Sequence, residues 1–363
     1  MEKIKKVVPY VFLAGGAISI LRTIYILWNT FLPDFSTRYQ AVRVLFGGNN
    51  PYSNLSSFTS ENYPPIALIL ISPVTLFPFE VSSKILIILS VLSLIFCIVL
   101  LHRALNLPLL QTSFLFFFAS ISFPFKFTVG MGQLNLLVLF FLTLFLFGVI
   151  KGKIFAASIS IAIASSLKLF PGILLLVLLI QRKWKIFFIS SLAILILFLT
   201  SFVLFDKDIT LFYIRKILVQ LILGSSGAEY YNQSITGLFS RFNINTGTLT
   251  LSRIFIFLLT VCFILRRREL SLGIPLFMTM ILLSSNFTWQ HHLILLLLPF
   301  AVLLKKSSLT TQMFMLIAYF LIAMNIKNPT LITQEWYGPI ALSHSFFGML
   351  ILWSLLVFKK NDQ

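Results

Sequence analysis

Leu32-Pro33-Asp34-Phe35-Ser36-Thr37-Arg38-Tyr39 follows directly on an apolar run near Val8 to Trp28. The run is long enough to cross a bilayer, whose hydrocarbon core takes about 20 apolar residues. It is preceded by Met1-Glu2-Lys3-Ile4-Lys5-Lys6, and basic residues next to a span favour the cytoplasmic side. The run lacks a small-residue cleavage site and exceeds a signal-peptide core, so it reads as an uncleaved first span. Threaded that way, Asp34 emerges on the outer face. The chain holds only 10 Asp plus Glu in 363 residues, so a carboxylate at the bilayer edge is a rare reagent. Such an acid can take the proton of a hydroxyl that attacks a lipid-borne substrate.

Composition sets the class. The chain is 58% hydrophobic and 10% charged, with a mean hydropathy of +0.99. A water-soluble domain cannot hide that much apolar surface, and the apolar runs are long, which excludes a barrel of short alternating strands. The 40 phenylalanines read as lipid-facing and core-filling. A net charge of +18 invites a nucleic-acid partner, but the cations are punctuated: Lys3/Lys5/Lys6, Lys151/Lys153, Arg182/Lys183/Lys185, Arg266/Arg267/Arg268, Lys305/Lys306 and Lys359/Lys360. Short basic clusters between apolar runs mark cytoplasmic loops, and nucleic acid is excluded as the partner. Cys97 and Cys262 lie inside apolar runs and read as buried thiols without a disulfide or metal framework.

With every basic cluster inside, the chain reads as an all-α polytopic membrane protein, one domain over residues 1–363, with about twelve crossings and both termini cytoplasmic. Spans fall near Val8–Trp28, Ile85–Leu101, Leu109–Phe125, Leu134–Ile150, Ile154–Ser166, Gly172–Ile180, Phe187–Phe205, Leu249–Leu265, Leu272–Leu283, Leu293–Leu304, Met313–Met324 and Ile340–Phe358. The main outer loops are 31–64 and 206–248. In the first, Phe35, Tyr39, Val42 and Phe46 recur at helical spacing with Arg38 and Arg43 elsewhere on the wheel. That pattern predicts an amphipathic helix on the surface, ended by Gly47-Gly48-Asn49-Asn50-Pro51. In the second, Leu211 to Leu223 predicts another surface helix. The segment from Tyr63-Pro64-Pro65 to Pro78 is short and broken by Pro73; its reading as a re-entrant piece satisfies the charge rule, and a crossing stays open.

The uncommon polar residues collect on the outer side. Lys168, in Ala164-Ser165-Ser166-Leu167-Lys168-Leu169-Phe170-Pro171, sits deep in apolar sequence beside a helix-breaking proline. It reads either as a lysine snorkelling to the interface or as a cation lining a polar cavity, where it would suit a lipid phosphate. Trp289-Gln290-His291-His292 is either an interfacial span start or, with Lys168 and Arg241, part of a phosphate-binding cluster. The amides of Gln133 and Asn135, after Gly130-Met131-Gly132, suit sugar hydroxyls or a plain loop. For Asp34 the alternative to catalysis is an N-cap, since Pro33-Asp34-Phe35 suits a helix start. Asp206-Lys207-Asp208 looks like a nucleotide-sugar metal motif, but its predicted face makes it a solvated loop.

In order along the chain, Asp34-Phe35 to Asn50-Pro51-Tyr52, Tyr63-Pro64-Pro65, Gly132-Gln133-Leu134-Asn135, Lys168-Leu169-Phe170-Pro171, Asn232-Gln233-Ser234 with Arg241, and Trp289 with His291-His292 resemble glycosyltransferase family 87 of the GT-C superfamily. The resemblance covers most of the chain, through short motifs whose ordered set carries the specificity. It implies a GT-C-like helical bundle in the inner (plasma) membrane, with an outer-face active site. There the enzyme would transfer a hexose, most often mannose, from a polyprenyl-phosphate sugar to a hydroxyl of a lipid or glycan acceptor. The transfer would be inverting, with neither cofactor nor metal. Asp34 matches the family's catalytic acid and would be the general base. Lys168, Arg241, His291 and His292 would hold the departing phosphate, and Tyr63, Gln133, Asn135, Asn232, Gln233 and Trp289 would meet sugar or acceptor. Two rival classes remain. A transporter would show an inverted repeat, and none is visible. An oligosaccharide ligase or polymerase would carry histidine in its late outer loop, whereas 206–248 has Arg215 and Arg241 but no histidine.

Overall fold

Long runs of Leu, Ile and Phe with few interruptions satisfy their backbone polar groups internally as helices, the arrangement that hydrocarbon demands. The computed structural model describes residues 2–53, 61–224, 227–305 and 307–359. Lys306 and Lys360, the side chains of Lys3 and Lys5, and residues 54–60 of the expected outer loop lie outside the described residues.

The chain runs as α1 (Glu2–Leu27), then α2 (Pro33–Phe46), which opens the first polar connection. A short α3 (Pro65–Ile71) continues as a 3-10 turn over Ser72–Leu76 before α4 (Phe79–Leu105). Next come α5 (Leu109–Ile121), α6 (Phe123–Met131), α7 (Asn135–Ile150) and α8 (Ile154–Leu167). After Lys168 a 3-10 turn (Phe170–Leu174) leads into α9 (Leu175–Ile180), followed by α10 (Trp184–Leu204). The second polar connection carries α11 (Lys207–Phe212), a π-helical stretch (Tyr213–Leu218), α12 (Val219–Leu223) and α13 (Ile235–Arg241). Then follow α14 (Thr246–Arg267), α15 (Leu270–Ser284), a 3-10 turn (Gln290–Leu296) with α16 (Leu297–Leu304), α17 (Leu309–Ala323), α18 (Gly338–Ala341) and α19 (His344–Phe358).

Four of these helices are long and apolar enough to cross a membrane: α1 from Lys6, α4, α10 and α14. α5 and α6 join them if the pair, bent by 52° at Ser122, is one span. Most of the other expected crossings are shorter: α7, at 16 residues, extends about 24 Å, less than the ~30 Å hydrocarbon core. The structure thus has a helix at each of the twelve expected positions, while length and composition support four or five as full crossings. Small residues let the inner helices close up. A Cβ added to Gly148 of α7 would lie 2.9 Å from the backbone nitrogen of Ala157 on α8, so glycine sets the contact between those two helices.

The two doubtful pieces near the start resolve geometrically. α2 is amphipathic, but its apolar face packs on protein. Phe35 and Leu45 are fully buried, and at the head of α4 Phe35 stacks on Phe79 while Tyr39 meets it edge-on. Two assignments on the helical wheel are corrected: Phe46 is exposed and meets Phe205 edge-on, while Arg38 is buried. The helix turn of 100° per residue puts Arg38 beside Leu45 and Val42, and the long side chain then bends toward Asp34. The segment 65–76 has both ends on α2, with Arg38 over the Tyr63 ring at one end and Tyr39 Oη donating to the Phe77 carbonyl (2.9 Å) at the other. Both ends of the segment therefore lie against the same helix. The expected surface helix at 211–223 is also present, as the run from α11 to α12.

Candidate active site

Asp34 sits in the first turn of α2, behind Pro33, where a carboxylate is favoured by the helix dipole. It is not the cap. Leu32 holds that position without a side-chain hydrogen bond, and the Asp34 carboxylate instead accepts from Gln133 Nε2 through its Oδ2. Gln133 reaches it because of the turn between α6 and α7. Gly132 closes α6 with a φ of +69°, and a Cβ there would collide with the Cβ of Phe35, so only glycine lets this turn rest on the head of α2. The other end of the Gln133 amide accepts from Tyr63 Oη at 2.8 Å. These two partners fix the amide's orientation. Asp34 Oδ1 is left as the oxygen able to take a proton.

Tyr63 is the hinge of the site. Its ring carries Arg38 at 4.1 Å and Lys168 Nζ at 5.5 Å. Its main-chain N–H donates to Glu61 Oε1 (2.7 Å), as does that of Asn62 (2.8 Å). Its carbonyl accepts from Tyr52 Oη at 2.8 Å, and Tyr213 of the π-helical stretch stacks on Tyr52 and reaches the Asn62 carbonyl. Burial pushes the Glu61 carboxyl above its ordinary range, despite opposition from Arg38 and the two amides. For Arg38 burial works against the charge, but Tyr63, Glu61 and Asp34 outweigh it and hold the guanidinium protonated.

Lys168 ends α8 in extended conformation, with a φ of −145°, three residues before Pro171. Its ammonium lies 3.0 Å from His292 Nε2. His292 is placed by the 3-10 turn that begins at Trp289. The Trp289 main-chain N–H points at His292 Nδ1 (3.3 Å), and Nε2 faces Lys168 Nζ at hydrogen-bond distance, so the two nitrogens meet at one point where an arriving phosphate oxygen can take hydrogen bonds from both side chains. The turn itself is anchored by the His291 carbonyl, which accepts from Thr128 Oγ1 and Asn135 Nδ2, both at 3.0 Å. The His291 ring packs on Phe127, Trp289 and His292, and its buried Nδ1 has no partner.

The structure therefore brings together Asp34, Tyr63, Gln133, Asn135, Lys168, His291, His292 and Trp289. Asn232, Gln233 and Arg241 form a knot that joins the site through a backbone bridge between Asn232 and Trp289. Asn232 and Gln233 are fully buried, and their amides are committed to the protein: Asn232 to Gly227, Ser234, Asn286 and Thr288, Gln233 to Tyr230, Leu342 and Ser345. Arg241 donates to Ser343 Oγ and to the carbonyls of Glu229, Tyr230 and Asn232. Among the described residues no hydrogen bond links these three to Asp34, Lys168 or the two histidines. The sequence reading missed Arg38 and Glu61. Arg38 stands one helical turn after Asp34, and Glu61 is one of the 10 scarce carboxylates, so both signals were present.

Beside the site, a groove of about 360 Å³ opens between α5, α16 and α17. Its wall begins at Leu293 and Ile294, directly after His292, and continues over Leu297 and Phe300 to Leu304. Along four residues of 3-10 helix and seven of α-helix that path covers about 18 Å. Phe118, Met315 and Tyr319 face it, and the lining is almost wholly apolar.

Against known proteins, residues 62–285 match the model of glycosyltransferase family 87. No curated protein sequence matches the chain. Among solved structures, ArnT from Cupriavidus metallidurans bound to undecaprenyl phosphate is similar over 96% of this chain and 76% of its own, with 12% identity and a TM-score of 0.53. The same enzyme in the apo state gives 11% identity over 95% and 76%, with a TM-score of 0.48. The first likeness shows the GT-C fold in an all-helical chain. The family match covers well over half the sequence, and the chain belongs to glycosyltransferase family 87.

Proposed function

We propose that the protein transfers a hexose, with mannose as the first candidate, from a polyprenyl-phosphate sugar to a hydroxyl of a lipid or glycan acceptor at the outer face of the plasma membrane. The observation that carries this reading is the separation of roles around Tyr63. A carboxylate with one free oxygen stands on one side, and two converging donors, Lys168 and His292, stand on the other. An in-line displacement needs that layout. The acceptor oxygen attacks C1 of the sugar as its proton passes to Asp34 Oδ1. The C1–O bond to phosphate breaks on the opposite face, and the electron pair leaves with the polyprenyl phosphate. The new bond forms on the face opposite the old one, so the configuration inverts. The charge that develops on phosphate meets Lys168 and His292, whose fixed donors stabilise it without a metal. His291, Asn135 and Trp289 hold the turn that carries His292.

The apolar groove starting at Leu293 gives the polyprenyl chain a seat continuous with the phosphate site. ArnT, the fold relative, is seen with undecaprenyl phosphate bound, a lipid of the same chemical class. The test is transfer by purified protein in vesicles containing radiolabelled polyprenyl-phosphate sugars and membrane-lipid acceptors. Label appearing in a new glycolipid supports the reading, as does its persistence in chelator and its loss in Asp34→Asn. Label that never leaves the polyprenyl carrier, with any hexose or acceptor, refutes it.

A further inference from the structure

Two charges in the first polar connection have no assigned work. Glu61 is only 5% exposed, and while its Oε1 takes the N–H groups of Asn62 and Tyr63, its buried Oε2 has no partner among the described residues. Arg38 is likewise 5% exposed. One nitrogen donates to the Asp34 carbonyl (2.6 Å), and its buried Nε has no partner. Neither charge forms an ion pair with the other, although both lie against Tyr63. Burying a carboxylate and a guanidinium with open valences is costly unless something polar completes them.

The place of Tyr63 indicates what completes them. It stands between the base, reached through Gln133, and Lys168, whose ammonium lies over its ring. Under the proposed displacement the sugar occupies the interval between acceptor oxygen and phosphate. Groups on Tyr63 therefore border the sugar ring. A sugar hydroxyl is both donor and acceptor, so it can donate to a carboxylate oxygen and accept from a guanidinium N–H at once. A phosphate cannot donate, and an apolar group satisfies neither.

We infer that Arg38 and Glu61 form a clamp for one hydroxyl of the donor sugar, with Glu61 Oε2 as acceptor and Arg38 Nε as donor, and that this clamp selects among hexoses. The inference rests on the proposed function, since it takes the sugar's position from that displacement. The clamp itself is held rigidly. Tyr52 and Tyr213 strap the Asn62 and Tyr63 carbonyls, and α2 fixes Arg38. A rigid polar site discriminates strongly, because an analogue lacking the hydroxyl leaves buried polar atoms unpaired; such sites reject the wrong substrate by up to about 10⁴-fold.

The test compares purified wild type and Glu61→Gln with a panel of polyprenyl-phosphate hexoses, each epimerised or deoxygenated at one ring position. One position should matter in the wild type by at least about 10²-fold in kcat/KM, and the preference at that position should collapse in Glu61→Gln while the other positions keep theirs. An unchanged preference in a folded Glu61→Gln protein overturns the clamp. Binding decides the matter without turnover. In the wild type a polyprenyl-phosphate hexose should bind more tightly than its analogue deoxygenated at that position, and that margin should vanish in Glu61→Gln and return only partly in Glu61→Asp. A margin that survives Glu61→Gln overturns the clamp even if catalysis is intact. A failure of the transfer reading shows differently, as absent transfer with the sugar-dependent binding margin in place.

Discussion

Removing the Lys168 ammonium should slow the chemical step as well as weaken donor binding. A polyprenyl-phosphate sugar is a phosphodiester with one negative charge, and the departing phosphate gains a second as the C1–O bond breaks. The ammonium, 3.0 Å from His292 Nε2 and without a carboxylate hydrogen-bonded to it, is placed to meet that added charge. At a separation of about 4 Å and an effective dielectric of about 20, one extra unit charge is worth about 4 kcal/mol. Lys168 is only half-buried, so water screens part of this, and about 3 kcal/mol is the better figure. Lys168→Ala should therefore lower kcat by about 10²-fold, and because the donor's single charge faces the same ammonium on binding, KM should rise as well. His292 shares the same phosphate, so Lys168→Ala/His292→Ala should cost less than the product of the single losses. The assay is single-turnover transfer from a labelled donor in vesicles, with the variant's helical spectrum and melting checked against wild type. A large rise in KM with kcat unchanged would show that Lys168 binds the lipid uniformly and does not act on the leaving group. A wild-type kcat would remove it from the mechanism.

Three further outcomes follow from the geometry. Gly132→Ala forces a left-handed φ on alanine and drives a methyl into Phe35, so the Gln133 turn shifts and transfer falls by 10-fold or more, at about 1–3 kcal/mol in stability; an active, equally stable variant would show that this turn does not hold Asp34. Ala323→Trp fills the groove and should raise KM for long-chain donors while leaving donors of two or three isoprene units unaffected; equal KM changes for both lengths would place the chain elsewhere. Gln233→Ala strips partners from the Tyr230 and Leu342 carbonyls and the Ser345 N–H, so the melting midpoint should fall while KM for donor and acceptor holds; a selective KM defect would restore its sugar-binding assignment.

The parts of this site that were legible in the sequence share one property: they break an apolar background. Asp34, Lys168 and the His291-His292 pair are rare where they stand, and hydrocarbon makes an unneeded charge costly. Arg38 was harder, because wheel position assigns a long cation to solvent by default, while its real partners come from Tyr63, 25 residues downstream, and from the carbonyl of Asp34. Glu61 obeyed the same scarcity rule as Asp34 but sat in a loop with no periodicity to direct attention to it. Asn232, Gln233 and Arg241 stand differently. Polar residues near a site read as ligand contacts, yet a loop wedged between helices needs the same amides to satisfy its own backbone. The number of full crossings was not legible either, since apolar pattern locates a helix while packing decides how much of a bilayer it traverses.

Gln133 explains why acid and cations coexist here without cancelling. Had Asp34 and Lys168 met directly, each would have satisfied the other. The carboxylate would lose its tendency to take a proton, and the ammonium would be occupied when phosphate arrived. The amide prevents this by donating to Asp34 and accepting from Tyr63, so the carboxylate is oriented by a neutral group. Tyr63 then places an aromatic face toward Lys168, where a cation is attracted without being neutralised. On the far side the Trp289 N–H holds the His292 ring by Nδ1, so that Nε2 turns toward Lys168. One short chain of neutral contacts, from Asp34 through Gln133 to Tyr63, thus lies between the carboxylate and the Lys168 ammonium. Under the proposed transfer that interval is where the sugar would lie, with its acceptor on the Asp34 side and its phosphate on the Lys168 side.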